Sequence, residues 1–416
     1  MGDTTNKDKN TSFYEMSKIF FKDYFGSDPN NSTQSIYLYM TMSIVILILL
    51  ILFGWIYDRL ALEQRTCDRL EKYYRANIGK SYFTSANTVE ASSATDLTTT
   101  EFDVSNSIFK NYYVKSAYNC CCGDGYKNNF VNLCALEKTI TNGCRFLDFE
   151  IYSYNNKPIV ASSTANSNYI KETYNSLDLG DVLSSVTTRA FDAIHTNCSR
   201  DPLILNFRVM STNLTMLEKM GALFEQYLDL ATSDTDSNTF RIMKQHNYTT
   251  GSILNVQMKD LYKTVIIICD FYPSNNIIET NNVLAKLKTY INLKGKSAYC
   301  KTYRYTEIAG KTAQFIDETK RSFTIVLPNL NNYVNNNEFA SAYGFGCNAI
   351  AMKYQTKDAN LESYVAQFTN NGNYSWILKP NHLIANVPTS FAIIPFTSHR
   401  PVEDVAGTLQ TLLSQQ

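Results

Sequence analysis

Residues 142–163 read NGCRFLDFEIYSYNNKPIVASS, and residues 201–209 read DPLILNFRV. Each carries a short apolar run bounded by turn formers, the pattern of a β-strand. With a strand's period of two, Phe146, Asp148 and Glu150 share one face of the first run. Two acids on an otherwise apolar strand have two readings. One is a buried ion pair with a basic partner, the other a cation site.

Working outward, the strand-like runs are Tyr112 to Lys115, Cys144 to Tyr152, Pro158 to Ser162, Leu203 to Val209, Thr264 to Cys269, Phe323 to Leu327, Ala349 to Tyr354 and Ser375 to Leu378. Helical patterns lie between several of them: Asn132 to Asn142, Leu179 to His195, Leu214 to Ala231 and Thr280 to Leu293. This alternation predicts an α/β fold with a parallel sheet. Eight such strands fit a closed (β/α)8 TIM-type barrel better than an open sheet.

Upstream, Ile36 to Tyr57 (IYLYMTMSIVILILLILFGWIY) is a 22-residue run without a charge, enough to cross a hydrocarbon core as one helix. Tyr37, Tyr39, Trp55 and Tyr57 stand at its ends, where interfacial aromatics are expected. The predicted organisation is a polar tail (1–35), a transmembrane helix (36–57), a helical stalk (58–80), a Ser/Thr-rich linker (81–107), the barrel (108–387) and a C-terminal tail (388–416). Lys18 and Lys22 precede the apolar run, while Arg59, Arg65, Arg69, Lys72 and Arg75 follow it, which favours a single-pass protein with its large domain on the cytoplasmic side. The ten cysteines are scattered in a domain large enough to need no disulfides, which fits a reducing compartment. Sequons begin at Asn10, Asn30, Asn31, Asn197, Asn213, Asn247 and Asn373, a number that a chain rich in Asn, Ser and Thr yields by chance. The 38 basic residues equal the 38 acidic ones, so no electrostatic reason exists to expect nucleic acid as a partner. Aromatic residues at 13% speak against a disordered chain.

The two opening stretches resemble the first half of the catalytic barrel of the eukaryotic phosphoinositide-specific phospholipases C. That half reads GCR-x-x-ELD-x-W-x-G, P-x-x-YHGHT and P-x-ILS-x-E-x-HC. FGCNAIAMKYQT (345–356) and QFTNNGNYSWILKPNHL (367–383) resemble the second half, AGCQ-x-VALN-x-QT and F-x-x-NG-x-x-GYVLKP-x-x-L. The blocks stand in the family's order and cover Tyr112 to Leu383. The resemblance implies a barrel that cleaves a phosphodiester with two His around a calcium ion held by Asn, Glu, Asp and Glu.

Position by position, the resemblance puts Tyr118 at the first His and Asn119 at the Asn ligand, in KSAYNCC where the family reads SSHNTY. Ser162 falls at the second His. Asp148 and Glu150 take the acidic pair in exchanged order, and Arg208 replaces the last Glu. Neither Tyr nor Ser can replace imidazole near neutral pH. A guanidinium repels a cation that needs six to eight oxygens, so Arg208 is expected to occupy the metal's place, bonded to Asp148 and Glu150. The family's phosphate-binding cations align near Ile268 and Asp270 and with Ile325 to Pro328, so a headgroup would find few cations. His195, His246, His382 and His399 fall away from the mouth. Cys120, Cys121 and Cys122 lack paired zinc spacing and a neighbouring base, and read as ordinary thiols.

The expected function is a membrane-anchored, catalytically inactive phospholipase C-like barrel. It would act as a structural or interaction scaffold, with the Asn-rich composition suiting a membrane protein of a large DNA virus. No cofactor is expected, and the partners are a membrane through residues 36–57 and an unidentified protein. Two rivals remain. One is an active phosphodiesterase with Asn119, Asp148 and Glu150 on a cation and Tyr118 or a nearby Cys in proton transfer, and the other is a module that grips a lipid headgroup without cleaving it. The direction in which Arg208 points discriminates between them.

Overall fold

The computed structural model describes residues 32–74, 79–83, 107–165, 169–229 and 240–384, with Ile19 and Lys22. The C-terminal tail, most of the linker and His399 lie outside them, as do the sequons at Asn10, Asn30 and Asn31. The chain forms two compact units, Met1–Arg69 and Leu70–Gln416.

Starting in the first unit, α1 (Ser32–Tyr73) runs unbroken from the apolar segment into the expected stalk, and it ends at Tyr73 rather than near Lys80. It is long and apolar enough to cross a membrane. Its apolar side chains, Ile44 to Phe53 among them, are exposed, as a segment meant for lipid rather than a protein core would be.

The second unit is a strand–helix alternation. β1 (Tyr112–Ala117), α2 (Leu133–Thr141), β2 (Phe146–Tyr154), β3 (Lys157–Ala161), β4 (Leu177–Asp178), α3 (Leu179–Ala190) and β5 (Leu203–Val209) form its first half. There follow α4 (Leu214–Leu228), β6 (Arg241–Ile242), β7 (Thr264–Phe271), α5 (Ile277–Thr280), α6 (Ala285–Tyr290) and β8 (Leu293–Lys294). β9 (Cys300–Arg304), α7 (Tyr305–Ile308), α8 (Phe315–Arg321), β10 (Phe323–Leu327), α9 (Ala340–Gly344), β11 (Ala349–Met352), α10 (Ala359–Asn370) and β12 (Trp376–Leu378) complete it.

The strands β8, β7, β5, β2, β1, β11, β10 and β9 lie side by side in that order, each pair parallel. Because β11 returns to β1, the sheet curls into a (β/α)8 barrel of the TIM type, with an unpaired seam between β8 and β9 among the described residues. Two expected barrel strands are something else. β3 and β12 pair antiparallel with β2 and β1 and lie outside the parallel ring. Their places belong to β8 and β9. β8 has two residues, at the end of what reads as a helix from Thr280 to Leu293, a stretch that folds as the short pieces α5 and α6. β9 (CKTYR) flanks the seam with four of its five residues only partly buried, so it carries no apolar run.

Local chemistry explains the motifs. Gly143 and Gly346 follow the ends of α2 and α9 with φ of +76° and +79°, the left-handed conformation that lets a helix stop and the chain turn into a strand. The cysteines after them, Cys144 and Cys347, are fully buried beneath the sheet ends. The turn between β2 and β3 has Asn155 and Asn156 at φ of +48° and +57°, the pair of positive angles that a two-residue hairpin favours. Much of the core is apolar: Phe146, Phe149, Phe207, Ile266 and Ile325 are each at most 1% exposed.

The linker begins later than residue 81. Asp201, ahead of β5, accepts hydrogen bonds from Ser81 Oγ (2.6 Å) and Tyr82 N (2.7 Å), and Tyr82 is buried against Tyr112. The cysteines also depart from expectation. Cys67 and Cys134 are each in a disulfide, while the other eight are free and buried.

Candidate functional site

The C-terminal ends of parallel barrel strands converge on one mouth, where the chemistry of such barrels is placed. Register decides what meets there. Asp148 of β2 lies beside Asn206 of β5, and one layer higher Glu150 lies beside Arg208, with Asp270 of β7 on the far side of Arg208. A cation thus stands between two acids on three adjoining strands.

Arg208 is fully buried, and its guanidinium is held on several sides. Nε donates to Asp148 Oδ1 (3.0 Å), and Nη2 donates to Asp148 Oδ2 (3.0 Å) and Asn119 Oδ1 (2.7 Å). Nη1 lies 3.4 Å from Glu150 Oε1. The Tyr118 ring stacks over the group, 4.8 Å from its carbon to the ring centroid. Asp148 receives two more donors, Asn206 Nδ2 (2.7 Å) and the backbone N–H of Asn119 (3.1 Å). Asn119 reaches that position with φ of +43°, which Asn tolerates better than most residues. Glu150 accepts from Ser163 N at 3.2 Å.

The electrostatics follow from burial. Burial works to lower the Arg208 pKa, but the fields of Asp148, Tyr118 and Glu150 overturn it and hold the group well above its ordinary value. Burial pushes the Glu150 carboxyl up, with Arg208 opposing. It does the same to Asp270, opposed by Lys296. Tyr118 is likewise raised by burial, and Cys122 is pushed up to about 12, so neither offers an anion near neutral pH.

All six positions singled out in the sequence come together here: Tyr118, Asn119, Asp148, Glu150, Ser162 and Arg208 are each at most 3% exposed. The mouth above them is filled. Tyr126 packs edge-on against Tyr118 (5.5 Å between centroids), takes a hydrogen bond from Gln355 Nε2 (2.7 Å), and receives another on its carbonyl from Ser162 Oγ (3.0 Å). The cavity beside Tyr118, Asn119, Cys122 and Gln355 is about 10 Å³, barely room for one water. These residues do not fit a calcium ion as arranged. The oxygens of Asn119 and Asp148 that such an ion would need already bond to Arg208, whose charge would face it.

Two cations stand at the mouth that the sequence did not place there. Arg304 ends the unforeseen strand β9, and Lys296 follows β8. Both are engaged: Lys296 sits 3.7 Å over the Tyr272 ring and 3.6 Å from Asp270, and Arg304 Nη1 donates to Pro328 O (2.6 Å). Asn206 and Asp270 were missed as members of the cluster. The period of two could have found Asn206, two residues before Arg208, and the register of β7 sets Asp270, its penultimate residue, beside Arg208. His195, His246 and His382 lie near the N-terminal strand ends, before β5, before β7 and after β12, away from the cluster.

Two solved structures share this architecture. PLC21 of L. pealei and PLC21 of S. officinalis each superpose with a TM-score of 0.51 at 15% sequence identity, over 67% of this chain and 38% of theirs. The chain has the phospholipase C barrel fold. It spans well under half the length of those two proteins, as the 38% coverage states, and at that identity the likeness speaks for fold alone. No protein-family profile and no curated protein sequence matches the chain. Within the phospholipase C-like barrel, the cluster around Arg208 occupies the end at which barrel enzymes place their reacting groups.

Proposed function

We propose that this chain is a membrane-anchored, catalytically inactive phospholipase C-like barrel that works as an interaction scaffold. One observation carries the reading: the Arg208 guanidinium is bonded to Asp148 and Asn119 where the family resemblance would put a calcium ion. A fixed internal cation offsets one of the acidic charges and leaves no vacancy for a divalent one. The absence of a proton carrier supports the same conclusion, since Tyr118 and Ser162 stand at the two His positions, both buried, and no described histidine lies nearby. Without a base and an acid of suitable pKa, phosphodiester cleavage loses its general acid–base component. The barrel persists because its stability rests on the sheet and core, while the chemistry rests on a few grafted side chains.

Helix α1 then supplies the attachment to a bilayer, and the loops around the mouth supply a surface for a protein partner. The test is a calorimetric titration of the full-length chain in detergent micelles with Ca²⁺. The reading expects no saturable heat up to millimolar concentration. Binding that disappears in Asp148→Asn would overturn it.

A further inference from the structure

We propose that Asn247 is an N-glycosylation site, and that the barrel therefore matures on the non-cytoplasmic side of its membrane. Four sequons fall within the described residues, and the structure separates them. Asn213 caps α4: its Oδ1 accepts from Met216 N, and its Nδ2, the atom a glycan would take, donates to Asn156 Oδ1 (2.7 Å) and Ser153 Oγ (3.2 Å). The hydroxyl residues of the Asn197 and Asn373 sequons are buried, Ser199 at 7% and Ser375 at 1% exposure.

Asn247 differs. It sits on a turn between β6 and β7, where Thr249 donates through its backbone N–H (3.1 Å) and its hydroxyl (2.6 Å) to Asn247 Oδ1. Both bonds land on the amide oxygen, and Nδ2 has no partner among the described residues. Thr249 and Thr250 are exposed. The turn is anchored from below: Tyr248 is buried, its N–H donates to Ile291 O, and Asn292 Nδ2 donates to the carbonyls of Met243 and His246. A glycan there would point away from a well-fixed backbone, at the barrel end opposite the Arg208 cluster.

The second observation is chemical. Cys67 and Cys134 are disulfide-bonded, a state that persists in oxidising compartments and is rare in the cytosol. The excess of Lys and Arg after the apolar run argues for the opposite orientation, but it is a statistical bias. In the transfer, a bond forms between Asn247 Nδ2 and the anomeric carbon of a lipid-linked oligosaccharide. The bond from that carbon to the lipid diphosphate breaks, the diphosphate leaves with the electron pair, and the amide gives up one proton to a base.

The sequence holds its own control, because Asn10, Asn30 and Asn31 precede the apolar run and Asn247 follows it. The test is cell-free translation of the full-length chain with endoplasmic-reticulum microsomes, read by gel mobility before and after peptide-N-glycosidase. The wild type is expected to carry one glycan, lost in Asn247→Gln and Thr249→Ala and kept in Thr249→Ser. No glycan on the wild type would overturn the proposal. So would a glycan that survives Asn247→Gln, or one that is lost only when Asn10, Asn30 and Asn31 are changed together.

Discussion

Removing the Arg208 guanidinium tests whether it substitutes for a metal. In Arg208→Ala, Asp148 loses two charge-assisted hydrogen bonds, Asn119 loses one, and Glu150 loses its counter-charge, while both acids stay within 1% of full burial. Breaking a buried pair by deleting one partner costs about 3–5 kcal/mol, since the remaining charge has neither solvent nor partner. For a domain of this size that corresponds to a loss of about 5–9 °C in Tm. The loss has a pH sign. Burial already raises the Glu150 pKa and Arg208 opposes that rise, so without Arg208 it rises further. An acid whose folded pKa exceeds its unfolded one loses stability as pH rises, so the variant should be weaker at pH 8 than at pH 5. It should also gain what the wild type lacks. With the guanidinium gone, oxygens of Asn119, Asp148, Glu150 and Asp270 face one vacancy, and Ca²⁺ at about a hundred times its dissociation constant would restore about 2.7 kcal/mol. Thermal unfolding followed by circular dichroism, with and without Ca²⁺, reads both effects. Arg208→Lys serves as the control if the Ala variant does not fold, because it keeps the charge and loses the planar fork. An Ala variant within about 1 kcal/mol of wild type, or equal Ca²⁺ stabilisation of both proteins, would refute the reasoning.

Two further outcomes follow from the same geometry. Placing imidazoles at the two aligned positions, in Tyr118→His with Ser162→His, should not produce phosphatidylinositol hydrolysis, because Arg208 still fills the cation's place; turnover in that double variant would show that proton transfer alone was missing. Lys379 is fully buried, its Nζ has no hydrogen-bond partner, and burial lowers its pKa to about 7. Its folded pKa is below its unfolded one near 10.5, so the unfolded chain binds the extra proton between those values, and stability should rise with pH across that window. At pH 6 the full cost applies, up to about 5 kcal/mol for 3.5 units at 1.36 kcal/mol each. Lys379→Met should therefore be more stable than wild type at pH 6 and show a flatter pH profile in chemical denaturation. An unchanged midpoint would mean that burial does not depress the Lys379 pKa in the folded protein.

How much could be read without coordinates follows from where the signal lies. β2 and β5 are buried on both faces, so their apolar runs announce them, and the period of two places Asp148, Glu150 and Arg208 on one side. The pairing of Arg208 with those acids is a register effect, and charge complementarity predicted it. The seam strands carry no such signal. β8 is two residues long and β9 (CKTYR) is mostly polar and only partly buried, so Lys296 and Arg304 had no strand from which to be placed. β3 looked like a barrel strand because its Pro158 to Ala161 are as buried as the others, and only the Asn155–Asn156 turn marks it as the return arm of a hairpin. Ser81 and Tyr82 were hidden in a Ser/Thr-rich run, and their capture by Asp201 is a long-range contact that composition cannot announce.

The account's central claim is that the barrel has kept its fold and lost its chemistry. The most direct measurement is release of inositol phosphates from phosphatidylinositol and its phosphorylated forms in mixed micelles, by the full-length chain, across Ca²⁺ from zero to millimolar and pH 5 to 9. The account predicts no turnover above the protein-free rate at any condition. Ca²⁺-dependent turnover that is abolished in Asp148→Ala would contradict it.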